Sequence, residues 1–287
     1  ASRLHEEIVD FMKYIAPTPQ EHEMRLLVVK QLEDVAKHLW YGAELSVFGS
    51  YDTQLYLPSS DIDVVITAPH LTALNRSRLV DELFNLSNAL KRRGIATDVR
   101  VVHKARVPII KIVDVTTRYP VDISLNITNG IHSARMVKRF SEQLPAMKPI
   151  MLLIKQFLTQ RSMNEVFTGG LSSYSLMIMT VSFLQMHPLL QTGRIKAEEN
   201  LGVLLMEFLE LYGTHFSYEK VGIRVTRNGS YYRKVDLGRV RPDLPDVPSL
   251  EDPNDSDNDV GAGSYNMRRV RQAFYGAFEK LKLALMQ

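Results

Sequence analysis

The amino-acid sequence predicts an α/β part followed by a mainly helical part. Three observations carry that expectation. Before residue 128 the apolar residues fall in several short stretches at strand period, and after it mostly at helical period. The change occurs near Asn129–Lys148, which makes that stretch the natural boundary between two units. With 287 residues, 45% of them apolar, the chain can bury one large core or two ordinary ones.

The elements follow in order. Leu4, Ile8, Phe11, Met12 and Ile15 recur at helical spacing and stop before Pro17 and Pro19, which cannot continue a helix interior. Leu26, Val29, Leu32, Val35, Ala36 and Leu39 predict a second amphipathic helix. The period then changes to that of a strand, Leu45–Gly49, ending in a Gly-Ser turn, and a second strand is expected at Ile62–Thr67. Leu79, Leu83, Leu86 and Leu90 mark a third helix, closed by Lys91, Arg92, Arg93 and Gly94, residues that suit a helix C-terminus. Strands are expected at Thr97–His103, Ile109–Val115 and Val121–Ile127, with a turn around Thr117–Pro120.

Five helices follow, over Ile131–Phe140, Pro149–Thr159, Ser172–Met186, Ala197–Tyr212 and Tyr265–Met286. A hairpin interrupts them, with Val221–Val225 and Tyr231–Val235 flanking Asn228-Gly229. The stretch Arg241–Ser264, rich in Pro, Asp, Asn, Ser and Gly, predicts a long ordered loop or a lid.

Composition removes several classes of function. There is no cysteine, so disulfide scaffolds, thiolate nucleophiles and Cys-containing zinc sites are excluded, and a bound metal would be held by carboxylates. The most apolar stretch, Leu176 to Met186, is broken by Thr180, Ser182 and Gln185, so no membrane span is expected and the protein is read as soluble. Neither a signal peptide nor a transit pattern is present at the start, and secretion has no support. With 35 Lys+Arg against 32 Asp+Glu, the charge of +3 permits an anionic partner without demanding one.

The chemistry concentrates in Phe48-Gly49-Ser50 and Leu57-Pro58-Ser59-Ser60-Asp61-Ile62-Asp63-Val64-Val65. Residues two apart on a strand share a face, so Asp61 and Asp63 present two carboxylates together while Ile62 and Val64 face a core. Alone, this pair fits a solvated strand end as well as a Mg²⁺ site. Val121-Asp122-Ile123-Ser124-Leu125-Asn126 alternates in the same way and supplies a third acid, Asp122. If the two strands are neighbours, the acids converge as a two-metal phosphoryl-transfer site requires. Gly49-Ser50 is then either an ordinary turn or a phosphate cradle.

In their order, Gly49-Ser50, Asp61-Ile62-Asp63 and Asp122 resemble the signature of the polymerase-β-like nucleotidyltransferases. The longer strings, with Leu55 to Asp63, Asp122 to Asn126, Asn129-Gly130, Leu171-Ser172-Ser173-Tyr174, Asp252-Pro253 and Asp259-Val260-Gly261, are similar to one branch, the nuclear poly(A) polymerases of the TRAMP complex. The resemblance implies a catalytic domain of mixed sheet and helices over residues 20–145. It also implies a mainly helical central domain from residues 1–19 and 146–287, with a nucleotide recognition loop near 252–261. Asp61, Asp63 and Asp122 would be catalytic and hold Mg²⁺ or Mn²⁺.

By the same resemblance, Gly49, Ser50, Asn129, Lys155, Ser173, Tyr174 and Asn258 would bind the nucleotide. Asn129 also fits a helix N-cap, Lys155 a solvated helix position, and Tyr174 a core position. Uridylyl-adding relatives often carry histidine where Asn258 stands, so asparagine leans toward ATP. A second lysine found in some relatives is Thr159 here. Arg100, His103, Lys104, Arg106 and Lys111 form the densest basic run, which is either an RNA track or a solvated edge.

The resulting expectation is a template-independent RNA 3′-end adenylyltransferase using ATP in nuclear RNA surveillance, in the nucleus including the nucleolus. Its expected partners are an RNA 3′ end, a zinc-knuckle RNA-binding protein and an RNA helicase of the TRAMP complex. The alternatives are a terminal uridylyltransferase and a non-catalytic scaffold of the same fold.

Overall fold

The computed structural model describes residues 2–48, 55–105, 107–127, 129–226 and 228–285. The chain divides into two compact units, one formed by Ile15–Lys138 and the other by Ala1–Tyr14 with Arg139–Gln287.

The first unit is a five-stranded mixed sheet carrying helices. Its strands are β1 (Glu44–Phe48), β2 (Ile62–Thr67), β3 (Ala96–Val102), β4 (Ile109–Asp114) and β5 (Pro120–Leu125). Their order across the sheet is β1-β2-β5-β4-β3, and only the β2–β5 pair is parallel. The last strand in sequence is therefore the central one. Alternation decides which side carries the apolar core: Ile62, Val64 and Ile66 of β2 and Val121, Ile123 and Leu125 of β5 are buried in one apolar cluster. Side chains of α2 (Pro19–Leu39) and α3 (Arg76–Arg92) complete that cluster, with Val28, Leu32 and Val35 from α2 and Leu83, Leu86 and Leu90 from α3.

Thr18 and Glu21 form a capping box that starts α2, and Pro19 sits where its missing N–H costs nothing. The buried stripe of α2 is Arg25, Val28, Leu32, Val35 and Ala36, whereas Leu26 and Leu27 are about half exposed. The stripe anticipated through Leu26 and Val29 is thus displaced by one residue at its start. A cation occupies the first inward position, and an apolar pattern cannot register it.

The second unit is mainly helical. Its α1 (Ser2–Ile15) is tied to α8 (Leu201–Glu210) where Leu201 N–H donates to His5 Nδ1 at 3.3 Å. Between them in sequence lie α4 (Asn129–Gln143), α5 (Met147–Thr159), α6 (Ser173–Met186) and α7 (Pro188–Gln191). The segment 129–138 of α4 belongs to the first unit. A final helix, α9 (Met267–Leu285), packs on α8 and on the turn of π-helix that follows it, Leu211–His215. Phe208 is the hub of this core, with edge-on contacts to Phe183, Tyr212 and Phe274 at centroid distances of 5.6, 4.8 and 5.8 Å. No helix among the described residues is long and apolar enough to cross a membrane.

The expected hairpin is present as β6 (Val221–Arg224) and β7 (Ser230–Arg233), although Lys234–Leu237 turns into 3₁₀ helix instead of extending the strand. The expectation of a loop or lid over Arg241–Ser264 is corrected. Inside it a second hairpin, β8 (Ser249–Asp252) and β9 (Asp255–Asp259), pairs β8 alongside β6 to make a four-stranded sheet of order β7-β6-β8-β9. Strand alternation does not reveal β9, because its sequence is Asp-Ser-Asp-Asn-Asp. Polar anchors hold it instead: Asp259 accepts from Ser249 Oγ at 2.7 Å and from Leu250 N–H at 2.8 Å. On β8, Glu251 receives a bidentate pair from Arg224 at 2.6 and 2.7 Å.

Candidate active site

The parallel pairing of β2 with β5 sets Asp63 directly opposite Asp122. Asp61, just before β2, shares their face, and one carboxylate oxygen from each of the three acids lies within 4.8 Å of the others. Register extends this row across the sheet as Phe48, Asp63, Asp122, Lys111 and Arg100, one residue from each strand. Lys111 Nζ donates to Asp122 Oδ2 at 2.6 Å. The sequence placed Lys111 in a basic run without assigning it a partner. Its position between Ile110 and Ile112 on an alternating strand was the available signal.

Electrostatics at Asp122 follow from this crowding. Burial pushes its carboxyl above the usual carboxylate range, the hydrogen bond from Lys111 opposes that push, and the neighbouring Asp61 adds to it. Three acids held this closely are unfavourable without a cation. The donor set is all carboxylate oxygen, which fits a hard divalent ion such as Mg²⁺ or Mn²⁺.

In the helical unit two of the remaining candidates, Tyr174 and Asn258, meet at Asp252. Tyr174, in the first turn of α6, donates its hydroxyl to Asp252 Oδ1 at 3.0 Å, and Asn254 N–H donates to the same oxygen at 3.0 Å. Asn258 donates from Nδ2 to Asp252 Oδ2 at 3.0 Å. A carboxylate only accepts, so Asp252 fixes which way the Asn258 amide faces, with its carbonyl oxygen turned away from the acid. Tyr174 is half-buried and directed to the β8–β9 hairpin, which sets aside the core reading of that residue. Asp252 itself stood in the sequence only as part of a motif.

Ser173 is the first residue of α6, whose N-cap is Ser172, accepting from Ser175 N–H at 3.0 Å. Lys155 is 8% exposed in α5, so the reading as a solvated position does not apply. Thr159, one turn on, donates its hydroxyl back to the Lys155 carbonyl at 2.8 Å. Asn129 is the first residue of α4. Gly49 and Ser50, and Arg106 of the basic run, lie outside the described residues.

Comparison with known proteins gives the same direction. Residues 4–142 match a family model described as the central palm domain of mitochondrial-like poly(A) RNA polymerase, and residues 200–258 match one described as Cid1 family poly A polymerase. The Cryptococcus neoformans "Poly(A) RNA polymerase CID14" is 43% identical over 99% of this chain, which covers 37% of that protein. Trf4-2 of Drosophila melanogaster, named as an inactive poly(A) RNA polymerase protein, is 37% identical over 97% of this chain and 68% of its own length. Among solved structures, the polymerase core of TRAMP, described as an RNA surveillance complex, superposes with a TM-score of 0.90 at 40% identity. That match covers 98% of this chain and 86% of the other. The chain spans less than half the length of several curated relatives that it matches.

Proposed function

The chain belongs to the poly(A) RNA polymerase family of polymerase-β-like nucleotidyltransferases, and on that premise we propose that it transfers AMP from ATP to RNA 3′ ends without a template. The observation that carries this reading is the convergence of Asp61, Asp63 and Asp122 on one face of neighbouring strands. Family membership alone does not carry it, because one of these relatives is named inactive. In this reading Asp61 and Asp63 would hold both ions, and Asp122 would complete the site that activates the 3′-hydroxyl. When bound, the ions supply charge stabilisation to the transferring phosphoryl group and lower the pKa of the 3′-hydroxyl. Positioning supplies much of the rest.

Gly49, Ser50, Asn129, Lys155, Ser173 and Tyr174 are assigned to the nucleotide, with Lys155 supplying positive charge for its triphosphate. Asn258 is assigned to the base edge. With its NH₂ turned to Asp252, the amide offers a carbonyl oxygen, which accepts from the adenine amino group but opposes the O4 acceptor of uracil. That favours ATP over the uridylyltransferase alternative. Likeness to the polymerase core of TRAMP, described as an RNA surveillance complex, supports an RNA surveillance setting; the nuclear location and the zinc-knuckle RNA-binding protein and RNA helicase partners are part of this proposal by resemblance.

The test is extension of a labelled oligo(A) primer with Mg²⁺ and each nucleoside triphosphate in turn, with and without a zinc-knuckle partner. A ladder with ATP that disappears in Asp63→Ala is the expected result. No extension under either condition, with parent and Asp63→Ala binding nucleotide alike, would leave a non-catalytic scaffold.

A further inference from the structure

Arg25 is the buried feature that the proposed chemistry does not use. It lies on the inward stripe of α2 at 1% exposure, among the largest fully buried side chains of the protein. A guanidinium at that depth loses its hydration, a cost that other groups must offset. Among the described residues its partners are two carbonyl oxygens and two aromatic rings, and none is a carboxylate.

The placement of those partners is informative. Arg25 Nη2 donates to the carbonyls of Pro58 and Ser60, both at 3.0 Å, and these residues lead directly into Asp61. The turn they belong to is closed internally by Leu57 N–H donating to Ser60 Oγ at 3.0 Å and by Ser60 N–H donating to the Leu57 carbonyl at 2.9 Å. The face of the guanidinium is stacked between the rings of Tyr56, 4.7 Å from its centroid, and Tyr119, at 4.4 Å. Tyr56 lies upstream of Asp61 on the same segment, while Tyr119 immediately precedes Pro120, the first residue of β5, which carries Asp122. One side chain therefore touches both segments that deliver the three acids.

We propose that Arg25 is a positioning residue that fixes the Leu57–Asp61 turn against the start of β5 and so sets the spacing of Asp61, Asp63 and Asp122 for a divalent ion. The inference rests on the reading of those acids as the metal site. Both hydrogen bonds leave from Nη2, while Nη1 is buried without a hydrogen-bond partner, so it is the planar group stacked between two rings that makes arginine suited to the position. Lysine keeps the charge and a nitrogen that can donate, and loses the planar stacking between Tyr56 and Tyr119. Arg25 makes no contact with the carboxylates and acts through the backbone that bears them.

The test measures Mn²⁺ binding to the full chain by the loss of the free-ion electron paramagnetic resonance signal, with thermal unfolding run in parallel. The parent is expected to bind Mn²⁺ and Asp63→Ala to lose that binding. Arg25→Lys is expected to stay folded and bind roughly 10- to 100-fold more weakly, the range seen when an outer partner of a metal site is removed. Tyr119→Leu opens one wall of the slot and leaves Arg25 in place, and a smaller weakening is expected.

A folded Arg25→Lys with the parent's Mn²⁺ affinity would overturn the proposal while leaving the metal reading intact. Collapse of the fold in Arg25→Lys would also count against it, since the role would then be to build the unit and not to space the acids. Absence of acid-dependent Mn²⁺ binding in the parent would overturn the metal reading and this inference with it.

Discussion

Replacing Asp61 with asparagine tests the candidate site in two opposite directions. In the metal-free protein Asp61 has two like-charged neighbours with oxygens within 4.8 Å. At that distance each pair repels by about 0.9 kcal/mol in a water-like dielectric and by about 3.5 kcal/mol at an effective dielectric near 20. All three side chains are partly solvated, and Lys111 already neutralises part of the Asp122 charge, so the lower figure governs. Asp61→Asn should then stabilise the metal-free protein by roughly 1–2 kcal/mol, a rise in Tm on the order of 5 °C for a unit of this size. The same change should remove the several kcal/mol that bound ions contribute to the transition state, a rate loss of about a thousandfold or more.

Calorimetry in chelator, then with added Mg²⁺, reads the first effect, and primer extension reads the second. The variant should gain stability in chelator and lose the Mg²⁺-induced rise that the parent shows. A variant that is less stable in chelator, or that responds to Mg²⁺ as the parent does, would refute the account of the acids as mutually repelling metal ligands.

Three further outcomes are expected. Asp252→Ala removes the acceptor that takes the Asn258 NH₂, so discrimination between ATP and UTP in kcat/KM should fall roughly tenfold, about the worth of one charge-assisted hydrogen bond. Gly261→Ala would place a Cβ 2.4 Å from the Pro248 carbonyl oxygen, a backbone atom that cannot swing aside, and should cost about 2 kcal/mol in denaturant unfolding. The third concerns pH. The Asp122 carboxyl titrates above its ordinary value in the folded state, so between those two values the folded protein holds a proton that the unfolded chain has released. The metal-free parent therefore loses stability from this group as pH rises through that window. Asp122→Asn lacks the loss, and denaturant unfolding in chelator should show its advantage over the parent growing from acid toward neutral pH.

The acids were legible because strand alternation is a strong signal and because Asp61 opens, and Asp63 and Asp122 interrupt, otherwise apolar runs. Their convergence was not, since the partner of β5 is set by topology that no local spacing records, and the resemblance alone supplied it. The helices of the second unit were legible in outline for the same reason of period. The β8–β9 hairpin was hidden because Asp259, Glu251 and Arg224 hold it through polar contacts, while pattern reading registers apolar ones. Arg25 escaped for a related reason. It stands at helical spacing with Val28 and Leu32 on the buried stripe of α2, and a charged residue there is discounted until its partners are seen.

The order of strands in the first sheet has a consequence for how the protein comes into being. β1 pairs antiparallel with β2, and β3 pairs antiparallel with β4, yet within the sheet these two halves are joined only through β5, the last of its strands in sequence. A nascent chain still on the ribosome can form either half early, because each is built from near neighbours in sequence. Throughout that interval Asp61 and Asp63 lack their third acid. Pairing of β5 with β2 and β4 is what sets Asp122 beside Asp63, so a prematurely terminated product that stops short of Asp122 never carries the assembled cluster.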